Sequence, residues 1–111
     1  KDVTASPYPE KVVLSFYTHY TDTKRIRAYF ADGAWDGLGQ CDTGQCGCTA
    51  PRSQISHVRV ADLDVKEETL DQAVVEVTIA CEHQDGTSTD VPPIQWRLVR
   101  VGDRWQISSR E

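Results

Sequence analysis

Four cysteines, Cys41, Cys46, Cys48 and Cys81, can either bind a metal ion or pair as disulfide bonds. Cysteine thiolates bind zinc, and structural zinc sites commonly use two Cys-x-x-Cys pairs on one ion. This chain instead has Cys-x4-Cys-x-Cys, with the last cysteine far along the sequence. The spacing therefore favours two disulfide bonds, and we expect no metal site and no other cofactor.

The spacing also limits which cysteines can pair. A bond between Cys46 and Cys48 would be strained, because only one residue separates them. Cys81 is therefore expected to pair with Cys46 or Cys48, which leaves Cys41 for the other. Such a bond would tie the cysteine-rich segment 37–53 to a later strand, and closing a long loop stabilises a fold by roughly 2–4 kcal/mol.

The secondary structure that holds these cysteines in place is predicted best between residues 74 and 107. Residues 74–83 alternate between apolar and polar side chains, which is typical of a half-buried strand. Asp85-Gly86 follows and favours a tight hairpin turn. A two-residue loop there would place Val75 opposite Trp96 and Val77 opposite Ile94.

A second turn is predicted at Gly102-Asp103, which would place Leu98 opposite Ile107. Proline cannot donate to a strand ladder, so Pro92-Pro93 predicts an edge, a bulge or a break. The two turn assignments agree on one buried face, which supports both registers. That face contains Val75, Val77, Ile79, Ile94, Trp96, Leu98, Trp105 and Ile107.

The remaining elements are predicted from periodicity and capping signals. A fourth strand is expected over 54–65, with a bulge near Ala61-Asp62. An amphipathic helix is expected from Pro7 or Pro9 to about Thr21-Asp22. A second helix is expected over 24–30, capped by Asp22 or Thr23. The segment 37–53 has no period, and a stretch of this length is usually tied down or functional.

Composition limits the class of protein. The length of 111 residues predicts a single domain, 7–111, after a polar leader at 1–6. A net charge of −5 argues against nucleic acid as a partner. No apolar run is long enough for a transmembrane helix, so the only expected route to a membrane is an anchor removed before Lys1. The cysteines favour a secreted or extracytoplasmic location.

Several stretches resemble a known superfamily. FYTHYTD followed by RIRAYFADGAW resembles the opening of the nuclear-transport-factor-two-like fold, also called cystatin-like or steroid-isomerase-like. The ending VEVTIACEHQDGTSTD and WRLVRVGDRWQIS is similar to small bacterial secreted or lipid-anchored domains. The resemblance implies an α+β fold in which N-terminal helices pack on a curved, four-stranded antiparallel meander sheet, forming a cone.

The same resemblance implies a place for a site. In steroid-isomerase-like enzymes a tyrosine of the first helix and a carboxylate after the second helix line the interior. The positions that match here are Tyr17 and Asp36, with Asp32 as a competitor for the carboxylate. A tyrosine can donate to a developing oxyanion and a desolvated carboxylate can accept a proton. The candidates for lining the pocket are Phe16, Tyr20, Trp35, Trp96 and Trp105.

One departure from the superfamily decides the functional expectation. Its enzymes usually carry a third helix before the long strands, and the cysteine-rich segment occupies that place here. We therefore expect a non-enzymatic extracellular or cell-surface accessory or binding domain. The alternatives are a small-molecule-binding or isomerase- or dehydratase-like enzyme using the interior, and a zinc-stabilised domain. The partners left open are a small apolar ligand, a protein, and a second copy paired through the sheet.

Overall fold

The computed structural model describes residues 8–42 and 44–111, so the predicted leader at 1–6 and a helix start at Pro7 lie outside the described residues. The fold is α+β, with short helices in the first half of the chain and one antiparallel sheet in the second half. None of the described helices is long and apolar enough to cross a membrane.

The sheet has five strands where four were predicted. They are β1 Ile55–Glu68, β2 Gln72–His83, β3 Ser88–Asp90, β4 Ile94–Val101 and β5 Arg104–Arg110. The spatial order is β1-β2-β4-β5, and β3 pairs with β2. The extra strand arises because Pro92-Pro93 interrupts the predicted second strand and divides it into β3 and β4.

The predicted register of the central hairpin is confirmed, since Val75 pairs with Trp96 and Val77 with Ile94. The predicted two-residue loop is wrong. The His83 N–H donates to the Thr87 carbonyl at 2.8 Å, so three residues form the loop. The register between β2 and β3 therefore differs by one residue from the register between β2 and β4. The irregular segment at Pro92-Pro93 accounts for this difference, so β4 still has the predicted register.

The long edge strand β1 contains the bulge predicted near Ala61-Asp62. Its register against β2 shifts between Val60 and Asp62. After the bulge, Leu63 lies opposite Val77 and Val65 lies opposite Val75, both of which are buried inward-facing residues. The bulge therefore keeps the apolar side chains of β1 on one face of the sheet, although their spacing in the sequence changes phase.

Two helical elements precede the sheet. Helix α1 spans Pro9–Thr18, so it ends earlier than the predicted Thr21-Asp22. Helix α2 spans Thr23–Ile26 and continues as a 3-10 turn over 27–29. Asp22 caps α2 as predicted, because its carboxylate accepts from the Arg25 N–H at 3.3 Å.

Helix α1 covers the inner face of the sheet with a stripe of fully buried side chains, Val12, Val13, Phe16 and Tyr17. Phe16 lies at the centre of an aromatic cluster. Its ring packs edge-on against Trp96 with centroids 6.2 Å apart and against Phe30 at 5.2 Å. Each buried aromatic side chain of this size contributes about 1.5–3 kcal/mol through burial, so this cluster forms the main core.

The segment 37–53, called the cysteine loop below, is more structured than its sequence predicts. A short helix α3, Ala34–Gly37, leads into it, and 3-10 turns span Gly39–Cys41 and Arg52–Gln54. These single turns satisfy local backbone groups without any apolar periodicity, which explains why the sequence pattern did not reveal them.

Candidate functional site

Two disulfide bonds hold the cysteine loop. Cys41 bonds to Cys46, and Cys48 bonds to Cys81 on β2. This is one of the two pairings that the spacing left open, and all four cysteines are buried. Because every thiol is oxidised, none is left to bind zinc as a thiolate, and the described residues contain no other cluster of metal-binding side chains. Within residues 8–42 and 44–111 the cysteines therefore form disulfide bonds and not a metal site.

Tyr17 connects the loop to the aromatic core. Its hydroxyl donates to the Cys46 carbonyl at 2.8 Å and accepts from the Trp96 indole N–H at 3.0 Å. Burial raises the pKa of Tyr17 above its ordinary value, and the Trp96 hydrogen bond opposes this only in part. The phenol is thus neutral, enclosed and fully engaged with protein partners.

Tyr20, which follows the end of α1, makes a parallel link. Its hydroxyl donates to the Cys41 carbonyl at 3.1 Å, and its ring stacks with that of Tyr17 at 6.3 Å. Burial raises the pKa of Tyr20, and the nearby Arg52 guanidinium opposes that rise. The two tyrosines therefore bind one carbonyl on each side of the Cys41–Cys46 bond.

Two arginines also hold the same loop. The Arg52 guanidinium lies 4.9 Å above the Tyr20 ring and donates to the carbonyls of Tyr20 at 2.9 Å and Gln40 at 3.0 Å. Arg110, at the end of β5, donates to the Gln45 carbonyl at 2.9 Å. Charged donors make stronger hydrogen bonds than neutral ones, so these contacts fix the loop on both sides.

Gly47 places the loop backbone directly on the sheet. A Cβ at this position would lie 2.8 Å from the Ile94 Cδ1 and 2.9 Å from the Ile79 Cδ1. The residue also has a φ of +118°, which side chains rarely allow. Only glycine lets the backbone approach these two core isoleucines so closely.

The residues predicted as a catalytic pair are not brought together. Tyr17 is buried and bonded as described, whereas Asp36 is exposed and accepts a hydrogen bond from the Gln40 amide at 3.1 Å. Asp32, the competing carboxylate, is also exposed. Asp32 and Asp36 line a small surface cavity of about 160 Å³ together with Arg27 and Trp35, and Tyr17 is not among the residues that line it.

The residues predicted to line an interior pocket instead fill the interior. Phe16, Tyr20, Trp96 and Trp105 are at most 1% exposed and belong to one core cluster. Trp35 is 6% exposed and borders the small surface cavity. These side chains therefore pack closely against one another and against neighbouring protein atoms.

Open grooves lie beside the cysteine loop. One, of about 510 Å³, is polar and is lined by Thr21, Thr23, Gln40, Asp42, Arg52, Ser53, Ile55 and Gln84. Another, of about 570 Å³, runs between the chain around Gly33 and the end of β5 at Arg110. The arginines that fasten the loop therefore also line the two grooves beside it.

Three residues important to this arrangement were not identified from the sequence, namely Gly47, Arg52 and Arg110. Gly47 is one of several glycines in the loop, and only its contact with the isoleucines distinguishes it. Arg52 and Arg110 lie in a loop and at a strand end, where periodicity carries no signal. A loop without regular secondary structure leaves backbone carbonyls unpaired, and these need donors from elsewhere in the chain. This need is the only feature of the sequence that points to such arginines.

Comparison with known proteins supports the fold. No protein-family model matches the chain, and no curated protein matches it significantly. Among solved structures, the chain is similar to a SEC-C motif-containing protein from Rhodopseudomonas palustris, with a TM-score of 0.65 and 16% identity over 97% of this chain and 80% of that one. It is also similar to a protein from Novosphingobium aromaticivorans named as a candidate aromatic ring hydroxylase, with a TM-score of 0.56 and 13% identity over 89% and 80% of the two chains. At these identities the similarity shows a shared fold.

Proposed function

We propose that this chain is a non-enzymatic, extracytoplasmic binding or accessory domain of the nuclear-transport-factor-two-like superfamily. In this proposal the curved sheet and α1 form the cone of that superfamily, and the cysteine loop closes it. The solved structures of similar fold and the order of helices before an antiparallel sheet support the assignment.

The filled interior is the observation that carries the non-enzymatic part of the proposal. An enzyme or carrier of this architecture needs an enclosed cavity with a few convergent polar groups. Here the Tyr17 hydroxyl is bonded to Trp96 and to the loop, and aromatic rings occupy the space around it. A substrate would have to displace these rings and break these bonds before reaching the phenol.

The cysteine loop and its flanking grooves form the proposed recognition surface. Two disulfides, two tyrosine hydroxyls and two arginines hold the loop, so it is pre-organised for contact with a protein partner. Pre-organised loops bind with a small entropic cost. The open groove beside Arg52 is mostly polar, and such a surface suits a protein partner better than a small apolar ligand.

The proposed location is outside the cytoplasm, where the domain would be secreted or attached to a bacterial membrane by a lipid. Two disulfides in the structure are compatible with an extracytoplasmic location, because such bonds persist in oxidising compartments. Measurement of the free thiols in protein isolated without reductant from its native host tests this part, and four reactive thiols would contradict it.

A titration with an apolar fluorescent probe, N-phenyl-1-naphthylamine, tests whether the interior is closed. The oxidised protein is expected to show no saturable binding and no shift of the Trp96 and Trp105 indole signals in ¹H–¹⁵N spectra. Saturable binding that moves those two signals would contradict the proposal and favour a small-molecule carrier or an enzyme.

Two variants of α1 make this titration decisive. Phe16→Ala removes a ring from the centre of the cluster and should create a cavity that binds benzene and moves the Trp96 and Trp105 indole signals, which shows that these signals detect an open interior. Leu14→Ala on the same helix is the matched control, because Leu14 is 41% exposed. That control should behave like the unmodified protein.

A further inference from the structure

Strand β1 forms one edge of the sheet over its whole length of 14 residues. Within residues 8–42 and 44–111, β2 is the only strand that pairs with it. An edge strand presents unpaired N–H and C=O groups that can bind a further strand. The side chains along this edge indicate which strand would fit.

The apolar side chains of β1 are arranged symmetrically around its central bulge. Val58 and Val60 precede Ala61-Asp62, and Leu63 and Val65 follow it at matching distances. All four face inward, but Val60, Leu63 and Val65 are only partly buried against the core. The inner face of this edge therefore keeps accessible apolar surface that another strand could cover.

The charges on the outer side of β1 follow the same symmetry with opposite signs. Arg59 lies between Val58 and Val60, and Asp64 lies between Leu63 and Val65. Their side chains are 57% and 60% exposed, and each makes one ion pair, Arg59 with Glu82 at 4.0 Å and Asp64 with Lys66 at 3.1 Å. Exposed pairs of this kind contribute little, so both charges are available to new partners.

We infer that β1 pairs antiparallel with β1 of a second copy of this chain, across a two-fold axis at the Ala61-Asp62 bulge. In this register Arg59 of each copy lies opposite Asp64 of the other, which gives two equivalent ion pairs. Val58 lies opposite Val65 and Val60 opposite Leu63, so the partly exposed apolar side chains cover one another. An isologous contact of this kind closes as a dimer.

Neighbouring registers fit less well. A shift by two residues in one direction places Arg59 opposite Lys66, which sets like charges against each other. The opposite shift places Val65 against Ser56 and Val60 against Ala61, so half of the apolar pairs are lost. A shift by one residue sets inward-facing side chains against outward-facing ones. Only the inferred register keeps all the apolar pairs on the inner face together with the Arg59–Asp64 ion pairs on the outer face.

Bulges and charges usually protect an edge strand from pairing. The β1 ladder shifts register in three places, between residues 55/57, 60/62 and 65/67, which restricts a continuous new ladder to about residues 58–65. Arg59 and Asp64 are self-complementary, so they select an identical strand and repel strands with another charge order, whereas Asp62 lies at the two-fold axis opposite Ala61 of the other copy. The inference does not depend on the ligand of the proposed recognition surface.

Charge reversal tests the inference. Sedimentation equilibrium of the oxidised protein should show a reversible dimer. Asp64→Arg would set two arginines against each other, and Arg59→Asp would set two aspartates against each other. Each single variant should raise the dimer dissociation constant at least about tenfold, and the double variant R59D/D64R should restore dimerisation.

Mixing the two single variants gives the sharpest result. R59D and D64R should each be monomeric alone but should form a one-to-one heterodimer when combined, because opposite charges then meet at both positions. Asp103→Arg, an exposed turn residue, is the matched control and should dimerise like the unmodified protein. Circular dichroism of each variant shows that it is folded. A monomeric unmodified protein, or a dimer indifferent to both single changes, would overturn the inference.

Discussion

The aromatic core under α1 and the cysteine loop above it are held in different ways. The core depends on many apolar contacts spread over α1, β2, β4 and β5, in which no single bond is essential. The loop depends on a few specific bonds, namely two disulfides, the Tyr17 and Tyr20 hydroxyls, and the guanidinium groups of Arg52 and Arg110.

This difference shows that the core and the cysteine loop are stabilised by different kinds of interaction. A core held by apolar burial tolerates substitution by other apolar side chains, provided that the total volume is kept and water stays excluded. Local covalent and polar bonds can hold a loop that has no apolar periodicity of its own. The loop can therefore be held in one conformation without an apolar core of its own.

The largest expected effect is in the core. Trp96→Ala removes a fully buried side chain and leaves the Tyr17 hydroxyl without its donor. The free energy of unfolding should fall by about 3–5 kcal/mol, measured by urea denaturation. Leu70→Ala is the control, because Leu70 is 86% exposed, and its effect should stay within about 0.5 kcal/mol. Equal effects of the two changes would contradict the buried position of Trp96.

The two disulfides should differ because they close loops of different length. The Cys48–Cys81 bond spans a sequence separation of 33 and the Cys41–Cys46 bond spans 5. Replacing the longer pair by serines should cost about 4 kcal/mol and replacing the shorter pair about 2 kcal/mol, on the loop-entropy relation. Thermal unfolding of both double variants checks the order, and a larger loss for the shorter bridge would contradict it.

Tyr17→Phe separates the effect of the hydroxyl hydrogen bonds from the effect of ring packing. The ring remains, but the Cys46 carbonyl and the Trp96 indole N–H both lose their partner in a buried place. The stability should fall by about 1–3 kcal/mol, and amide exchange should accelerate in the loop more than in β4. A uniform acceleration over both regions would show that the hydroxyl does not hold the loop specifically.

Alkaline pH should weaken the same link. Burial raises the pKa of Tyr17 and Tyr20 in the folded protein, so the unfolded chain loses these protons first. This contribution is fully present below about pH 10, the ordinary tyrosine pKa, and decreases as the pH rises further, by up to about 1.4 kcal/mol per pH unit for each tyrosine. Denaturation at pH 8 to 11 measures the slope, and Tyr17→Phe should reduce it.

The core was largely predictable from the sequence, because alternation and turn residues leave a repeated signal. The hairpin signal at Asp85-Gly86 predicted that Val75 lies opposite Trp96. The loop is one residue longer than predicted, but the irregular segment at Pro92-Pro93 compensates, so the predicted pairing is found. The bulge at Ala61-Asp62 was visible because the apolar phase changes there. Each of these features depends on neighbours in sequence.

The cysteine loop was predictable only in outline. Cysteine spacing restricted the disulfides to two pairings, but the bonds from Arg52 and Arg110 join residues distant in sequence. The resemblance that suggested Tyr17 and Asp36 as a catalytic pair carried no information on the filling of the interior, which depends on the volumes of facing side chains. The long-range polar contacts and the packing of the interior are therefore visible only in the three-dimensional structure.

Hydrogen exchange of the Trp96 indole N–H in the oxidised protein measures whether the interior is closed to solvent. If the interior is filled and the cysteine loop seals it, this proton should exchange only through global unfolding, at a rate set by the full stability. We expect protection equal to that of the slowest β4 amides. Exchange as fast as that of exposed loop amides would contradict it and would show an interior open to solvent.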